Sequence, residues 1–180
     1  DLVVISHEHG DHTGALAQVL EQNRVLTVYH PASFSDQFVS AVTHAGARSV
    51  PVTEPVEITD DVYLTGEMGG DIKEQSLILR SGDGLVVITG CSHPGIVDIL
   101  ERTQQILDEE VFLALGGFHL LRHSDDEIIA IIEQFKQLGV ERCGPTHCTG
   151  DRQITAFHDA YAENFVTMGV GKVLTFTAAD

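Results

Sequence analysis

The chain has 180 residues, a length that suits one domain with a sizeable buried core. Its formal net charge of −17 argues against nucleic acid as a partner, because binding to phosphates needs a basic surface. No apolar run approaches the roughly 20 residues of a membrane-spanning helix, so we expect no membrane partner. Three cysteines without framework spacing, Cys91, Cys143 and Cys148, fit a reducing cytoplasm better than a disulfide scaffold.

The N-terminal part of the sequence alternates predicted strands and helices. The pattern predicts strands at Leu2–Ser6, Val25–Tyr29 and Arg48–Val52, and helices at His12–Asn23 and from Pro31 to about Ala45. The sequence opens inside an apolar strand, so we expect a domain, residues 1–180, whose first β-segment is missing at the N-terminus.

The middle of the chain is predicted to be β-structure, and alternation then returns. Short strands are expected at Val56–Thr59 and Val62–Thr65, followed by a hairpin of Ser76–Arg80 and Leu85–Thr89 around a Gly-rich turn. Helices are predicted at Ile96–Leu107, Asp125–Leu138 and Asp151–Glu163, with strands at Val111–Leu115, Glu141–Pro145 and Lys172–Phe176. This order indicates a layered α/β domain.

Polar residues follow the predicted strands directly. His7, His9, Asp11 and His12 come after the first strand. Later strands are followed by Cys91 and His93, by His119, and by His147 and Cys148. In α/β sheets, ligands gather at the carboxyl ends of strands. Imidazole and carboxylate ligands suit Zn²⁺, Mn²⁺ or iron, and four of them within six residues can surround a pair of cations.

These motifs carry a resemblance to a known family. The run from Ser6 to Gly14 resembles the His-x-His-x-Asp-His signature of the metallo-β-lactamase superfamily. The blocks Gly90–Val97, Gly116–Leu120 and Thr146–Gly150 resemble the branch labelled dihydropterin-methyl-ribofuranosylaminobenzene-phosphate synthase. The resemblance implies an αββα sandwich with metal ligands on loops at one edge.

The resemblance also implies a ligand set. His7 and His9 would hold one metal, Asp11 and His12 the other, and His93 and His147 would complete the site. The superfamily's mid-chain histidine is absent, which leaves Glu67 and Asp71 as candidates there. At the position where many members carry an aspartate, this chain offers Cys91 or His93, and we favour His93.

The predicted chemistry is hydrolysis at a dinuclear centre. Two cations, with Zn²⁺ favoured over Mn²⁺ or iron, can share a bridging hydroxide and polarise a substrate oxygen. Asp11 would orient the hydroxide or take its proton, and His119 would donate a proton or support a ligand. Thr13, Ser92 and Thr146 are candidates to orient the ligand rings.

The predicted substrate is a small ester or phosphoester, with Arg122 and Arg152 as anion contacts. His30, His44, His123 and His158 are expected to be surface or helix-cap residues. Three alternatives stay open: a synthase-type transferase, an iron-loaded redox enzyme, and a non-catalytic metal-binding domain. The spread of His and Asp suits an open catalytic site better than a closed structural one. The oligomeric state is not predicted.

Overall fold

The computed structural model describes residues 1–179, which form nine strands and six α-helices. The strands are β1 (Leu2–Val4), β2 (Thr27–Pro31), β3 (Arg48–Val52), β4 (Val56–Thr59), β5 (Val62–Leu64), β6 (Leu77–Ser81), β7 (Gly84–Thr89), β8 (Val111–Gly117) and β9 (Arg142–Thr146). The helices are α1 (Gly10–Thr13), α2 (Leu16–Gln22), α3 (Asp36–His44), α4 (Ile96–Leu107), α5 (Asp125–Gln137) and α6 (Asp151–Tyr161). The predicted α/β class is confirmed.

The first sheet contains β1, β2 and β3 in that order, all parallel. Helices α2 and α3 cover it through one apolar cluster, in which Leu20 and Val42 from the helices meet Ile5 and Val28. Val28 is fully buried. The cluster holds the last residue of the apolar run before His7, so the core of this layer positions the first polar motif.

The second sheet contains six strands in the order β4-β5-β6-β7-β8-β9. Its first four strands are antiparallel, and Ser81 pairs with Gly84 across the predicted hairpin turn. Strands β7, β8 and β9 are parallel, so their carboxyl ends lie at one edge. This arrangement brings three of the predicted polar loops to the same place.

Helices α4, α5 and α6 pack on the second sheet around three aromatic rings. Phe118, Phe135 and Phe157 are mutually in contact, with ring centroids 5.2–5.5 Å apart. Helix α5 begins with a capping box, in which the Ser124 hydroxyl and the Glu127 carboxylate satisfy each other's backbone N–H groups. The chain order therefore gives two sheets, each with its own helices.

The two sheets meet next to the first polar motif. The Gln75 backbone N–H donates to the carbonyl oxygen of Ser6 at 2.9 Å, and the Gln75 side chain donates to that of Ile5 at 2.9 Å. The segment before β6 is thereby held against the carboxyl end of β1. Residues from both sheets can therefore contribute to one site.

Several predicted boundaries are wrong. Pro31 ends β2 and pairs with Val52, and helix α3 begins only after Ser35, whose hydroxyl accepts from the Phe38 N–H. The helix therefore begins at the N-cap residue Ser35 and not at Pro31. Segment 172–176 forms no strand, although the Gly82 N–H donates to Thr177. The helix predicted at His12–Asn23 is divided into α1 and α2.

Within residues 1–179, no helix has both the length and the apolar composition needed to cross a bilayer.

Candidate metal centre

Three histidines form the first donor group, His7, His9 and His93. The Nε2 atom of His7 lies 3.2 Å from Nδ1 of His9. The His93 ring centroid is 4.8 Å from that of His7 and 5.0 Å from that of His9, and one donor atom from each ring lies within 4.8 Å of the others. Nε2 of His93 is buried and has no hydrogen-bond partner among the described residues. Buried polar atoms are normally paired, so this nitrogen is available for a ligand.

A second donor group contains Asp11, His12 and His147. Nε2 of His147 lies 3.2 Å from Nε2 of His12 and 3.2 Å from Oδ2 of Asp11. Nε2 of His12 lies 3.4 Å from the same carboxylate oxygen. One N–H cannot satisfy all of these contacts, so the three donor atoms converge on a common point.

The spacing within each group can be compared with that around a metal ion. Donors about 2.0–2.1 Å from a tetrahedral Zn²⁺ are about 3.3–3.4 Å apart. In the second group all three separations, 3.2–3.4 Å, match that spacing, and in the first group the His7–His9 separation of 3.2 Å matches it, while His93 offers a donor atom within 4.8 Å of both. The residues present therefore fit a divalent cation, and they are the six ligands that the sequence predicts.

Glu74 supports the first group from behind. Its carboxylate, in a residue only 1% exposed, accepts hydrogen bonds from the N–H groups of Cys91, Ser92 and His93 at 2.8–2.9 Å. Its Oε2 atom also lies 3.9 Å from Nδ1 of His7. Burial lowers the pKa of His7 to about 4, although the Glu74 carboxylate opposes that shift. Glu74 thus fixes the loop after β7 and faces the ring nitrogen of His7 that points away from His9.

The hydroxyl of Ser6 connects the two groups. It lies 3.1 Å from Nδ1 of His7 and 3.4 Å from Nδ1 of His12. Partners of this kind set the ring orientation and tautomer of a ligating histidine. Two of the predicted partners donate elsewhere, because Thr13 Oγ1 donates to the His9 carbonyl and Ser92 Oγ to that of Gly117.

The loops after β7, β8 and β9 each contain one left-handed residue that is not glycine. Ser92 has φ 65°, His119 has φ 55° and His147 has φ 52°. Such backbone conformations are unfavourable for residues with a side chain and cluster at functional sites. Half of the six such residues described lie in these loops, the others being Asp61, Asp108 and Ala162.

His119 lies at the open side of the centre. Its ring centroid is 4.4 Å from that of His93, and its side chain is exposed. It lines a cavity of about 420 Å³ together with His93, His123 and the beginning of α4. A small molecule in this cavity would lie beside the first donor group.

A family model supports what the geometry indicates. The model described as the metallo-beta-lactamase superfamily matches residues 1–147. The chain belongs to the metallo-beta-lactamase superfamily. The resemblance seen in its motifs is confirmed, and members of this superfamily are mostly metal-dependent hydrolases.

Individual proteins also resemble the chain over most of its length. The 7,8-dihydropterin-6-methyl-4-(beta-D-ribofuranosyl)-aminobenzene-5'-phosphate synthase of Methanocaldococcus jannaschii is 25% identical over 98% of this chain and 75% of its own length. The crystal structure of Tm1679, a metal-dependent hydrolase of the beta-lactamase superfamily, has a TM-score of 0.83 at 31% identity, covering 97% of this chain and 79% of that one. An isothiocyanate hydrolase from Delia radicum gut bacteria shares the fold alone, with a TM-score of 0.65 at 13% identity and coverage of 99% and 77%.

Several secondary predictions about this metallo-beta-lactamase-superfamily site are corrected by the structure. The mid-chain candidates Glu67 and Asp71 belong to no donor group among the described residues. Glu67 instead accepts the Ser33 N–H at 2.6 Å. Arg152 pairs with Asp125 and donates to the His123 carbonyl, so both terminal nitrogens of its guanidinium already have partners.

The predicted environment of His30 is also wrong. It is a buried residue, 1% exposed, and not a surface or cap residue. His44 and His158 are exposed as expected, and His123 is half-buried at the cavity.

Sequence reasoning missed Glu74 and Ser6. Ser6 directly precedes the His-x-His run, and that adjacency was a usable signal. Glu74 lies in the polar run Glu74-Gln75-Ser76, and all three residues are buried. From sequence alone, such a run looks the same as an exposed polar loop.

Proposed function

We propose that the chain is a metal-dependent hydrolase that acts on a small ester or phosphoester at a two-cation centre. The observation that carries this proposal is the pair of donor groups next to an open cavity, in which separations of 3.2 Å between donor atoms are close to those of tetrahedral ligands. His7, His9 and His93 would hold one cation, and Asp11, His12 and His147 the other. Bound cations would polarise a substrate oxygen and make water a nucleophile near neutral pH.

Asp11 is proposed to take the proton of the attacking water. One of its oxygens faces His12 and His147, while the side chain as a whole is 56% exposed. The second oxygen is therefore available to orient water and accept its proton. A carboxylate positioned in this way acts as a general base.

His119 is proposed to donate a proton to the leaving group. Its exposed ring lies beside His93 on the cavity wall, and the left-handed backbone at φ 55° directs it there. An imidazole can supply a proton near neutral pH, which suits the departure of an alkoxide. Because Asp98 and Glu101 also line the cavity, a phosphorylated substrate would depend on the cations to offset their charge.

The alternative is a synthase reaction, which is favoured by the 25% identical relative from Methanocaldococcus jannaschii. Hydrolysis is preferred because Tm1679, at 31% identity, is more similar to this chain than the synthase is, and Tm1679 is described as a metal-dependent hydrolase. Both reactions would use the same donor groups. They differ in whether water or a second organic substrate attacks.

The test combines metal analysis with hydrolysis assays. We expect about two equivalents of Zn²⁺ by plasma mass spectrometry and hydrolysis of p-nitrophenyl esters or bis-p-nitrophenyl phosphate. Asp11→Asn should lower kcat by about 10²-fold or more, whereas His158→Ala, an exposed site on α6, should leave it unchanged. A wild-type chain that holds two cations but hydrolyses none of these substrates would overturn the hydrolase proposal.

A further inference from the structure

The cavity beside the first donor group is lined by acidic side chains and not by basic ones. Asp98 and Glu101, on α4, both line it, and no lysine or arginine does so among the described residues. Residues three apart on a helix share one face, so the two carboxylates belong to the same wall. We propose that Glu101 binds a protonated amine on the leaving group, so that the substrate is an ester or phosphoester whose alcohol part carries an amine. This inference rests on the proposed function and names its substrate class.

His119 indicates which part of the substrate lies in this cavity. It lines the cavity together with Glu101 and is the proposed proton donor to the leaving group. A leaving group must lie within reach of its proton donor, whereas the reacting carbonyl or phosphoryl oxygen would lie at the cations. The cavity volume of about 420 Å³ is in the range of small-molecule sites. The α4 wall therefore faces the leaving group and not the reacting atoms.

Neither carboxylate on this wall is neutralised by the protein itself. Within residues 1–179, Asp98 and Glu101 form no ion pair. The arginine that follows Glu101 in the chain, Arg102, lies 3.8 Å from a carboxylate oxygen of Glu54 instead. A cation that enters the cavity therefore meets carboxylates without a competing partner, and opposite charges attract more strongly where water is partly excluded.

Asp98 has a role within the fold that Glu101 lacks. Asp98 is the third residue of α4, and its Oδ2 lies 3.0 Å from the position of a Cβ placed at Gly95, the N-cap residue. A carboxylate in the first turn stabilises a helix through the helix dipole, and this effect falls off beyond that turn. Glu101 lies in the second turn. Stabilisation of α4 therefore accounts for Asp98 but not for Glu101.

The rest of the cavity suits an organic group with a second polar contact. Ile96 and Leu120 contribute apolar surface, and both are buried. Nδ1 of His123 is buried and has no hydrogen-bond partner in the part of the chain that the structure describes. The carbonyl oxygen of His123 accepts from Arg152 at 2.7 Å, which holds the residue in place. Because buried polar atoms are normally paired, this nitrogen indicates a ligand independently of the acidic wall.

The binding experiment uses two phenols of nearly the same shape. In p-(dimethylaminomethyl)phenol the side group is a cation at neutral pH, and in p-isobutylphenol it is an uncharged hydrocarbon. We expect calorimetry on the Zn²⁺-loaded chain to give a Kd about fivefold lower for the amine. The preference should disappear in Glu101→Gln and stay largely intact in Asp98→Asn.

Glu163→Gln is the matched control for Glu101→Gln. The net charge of −17 attracts any cation, and this variant removes the same charge at an exposed residue that does not line the cavity. We expect Glu163→Gln to keep the wild-type preference. The inference would be overturned if the wild type bound both phenols equally or bound neither. A preference that persists in Glu101→Gln, or is lost equally in Glu163→Gln or only in Asp98→Asn, would also overturn it.

Hydrolysis of the two corresponding acetates separates this inference from the proposed function. KM should be about fivefold lower for the amine-bearing acetate in the wild type and equal for both in Glu101→Gln. The ratio of the two kcat values should be the same in both proteins. Hydrolysis of both acetates with equal KM in the wild type would reject the role of Glu101 and leave the hydrolase proposal standing. Preferential binding of the amine without hydrolysis of either acetate would reject hydrolysis and leave the amine site.

Discussion

Glu74 shows how one buried carboxylate can hold a whole loop. It accepts three backbone N–H groups from residues 91–93 and faces His7. A glutamine there would turn an NH₂ group toward a backbone N–H, and a buried unpaired donor costs about 1–3 kcal/mol. We therefore expect Glu74→Gln to lower the free energy of unfolding by that amount and to weaken cation binding by about 10–100-fold.

Denaturant titration and competition with a metal indicator measure these two effects of Glu74→Gln. Asp71→Asn is the matched control, because Asp71 is an exposed acid that belongs to no donor group among the described residues. Equal cation affinity in Glu74→Gln and Asp71→Asn would show that the Glu74 carboxylate does not support the ligands.

His30 predicts a pH effect at a distance from the donor groups. Its Nδ1 donates to the Pro31 carbonyl and its Nε2 accepts from the Ser49 hydroxyl, both at 2.7 Å, which fixes the neutral tautomer. Burial lowers the pKa of His30 below its usual 6.5. The unfolded chain then binds more protons, so the stability from His30 is complete above pH 6.5 and is lost as the pH falls toward the lowered pKa.

The pH effect of His30 can be measured against His30→Gln. Urea titrations from pH 7.5 to pH 5 should show a steeper loss of stability in the wild type than in the variant, because the glutamine cannot take up the proton. Other histidines with lowered pKa values, such as His7 and His12, are common to both proteins. Parallel curves for the two proteins would contradict this prediction.

The grouping of the six predicted ligands could be anticipated from sequence because each lies in a loop or short helix that follows a strand. His7 and His147 are far apart in the chain, yet the end of a predicted strand marked both of their positions. The burial of Glu74 and His30 could not be found in this way. Their environments depend on which distant segments pack on them, and a local pattern of polar and apolar residues carries no such information.

At the scale of the elements, the site depends on the close approach of β1 and β7 at their carboxyl ends. A Cβ at Gly90 would lie 2.6 Å from the Ser6 Cβ. Ser6 lies between the rings of His7 and His12, so its displacement would disturb both donor groups. We expect Gly90→Ala to cost about 1–3 kcal/mol through overpacking and to reduce cation affinity.

Gly70→Ala is the matched control for Gly90→Ala, because no heavy atom lies within 4 Å of a Cβ placed at Gly70. Its stability should stay within about 0.5 kcal/mol of the wild type. Thermal unfolding and metal retention after dialysis compare the two variants. If Gly90→Ala retained its cations as well as Gly70→Ala, the strand ends would have more freedom than the structure indicates.

Element boundaries were predictable where the signal is local and were missed where it is not. The helix Ile96–Leu107 and the capping box at Ser124 follow from apolar spacing and cap residues. Segment 172–176 is rich in apolar and β-branched residues, but a strand needs a neighbouring edge to pair with, and the local sequence does not say whether one is available. Pro31 likewise is compatible with the first turn of a helix, and only its pairing with the distant Val52 places it in a strand.

At the scale of the whole molecule, the two donor groups join the two sheets. His7, His9, Asp11 and His12 follow the first sheet, while His93 and His147 follow strands of the second. A cation held by the first group would therefore bind the folded arrangement and not the unfolded chain. At a free concentration of about 100 times Kd, such binding adds about 2.7 kcal/mol to stability.

This linkage predicts a rise in melting temperature on loading with Zn²⁺. For a chain of this size the rise should be about 5–10 °C, measured by calorimetry with a chelator in the reference sample. The net charge of −17 means that any cation could stabilise the fold by screening, so Mg²⁺ at the same concentration is the required comparison. His147→Ala should lose much of the Zn²⁺ effect and His158→Ala should keep it. An equal rise with Mg²⁺, or an undiminished rise in His147→Ala, would attribute the stabilisation to general screening of the acidic surface and not to a centre that joins the sheets.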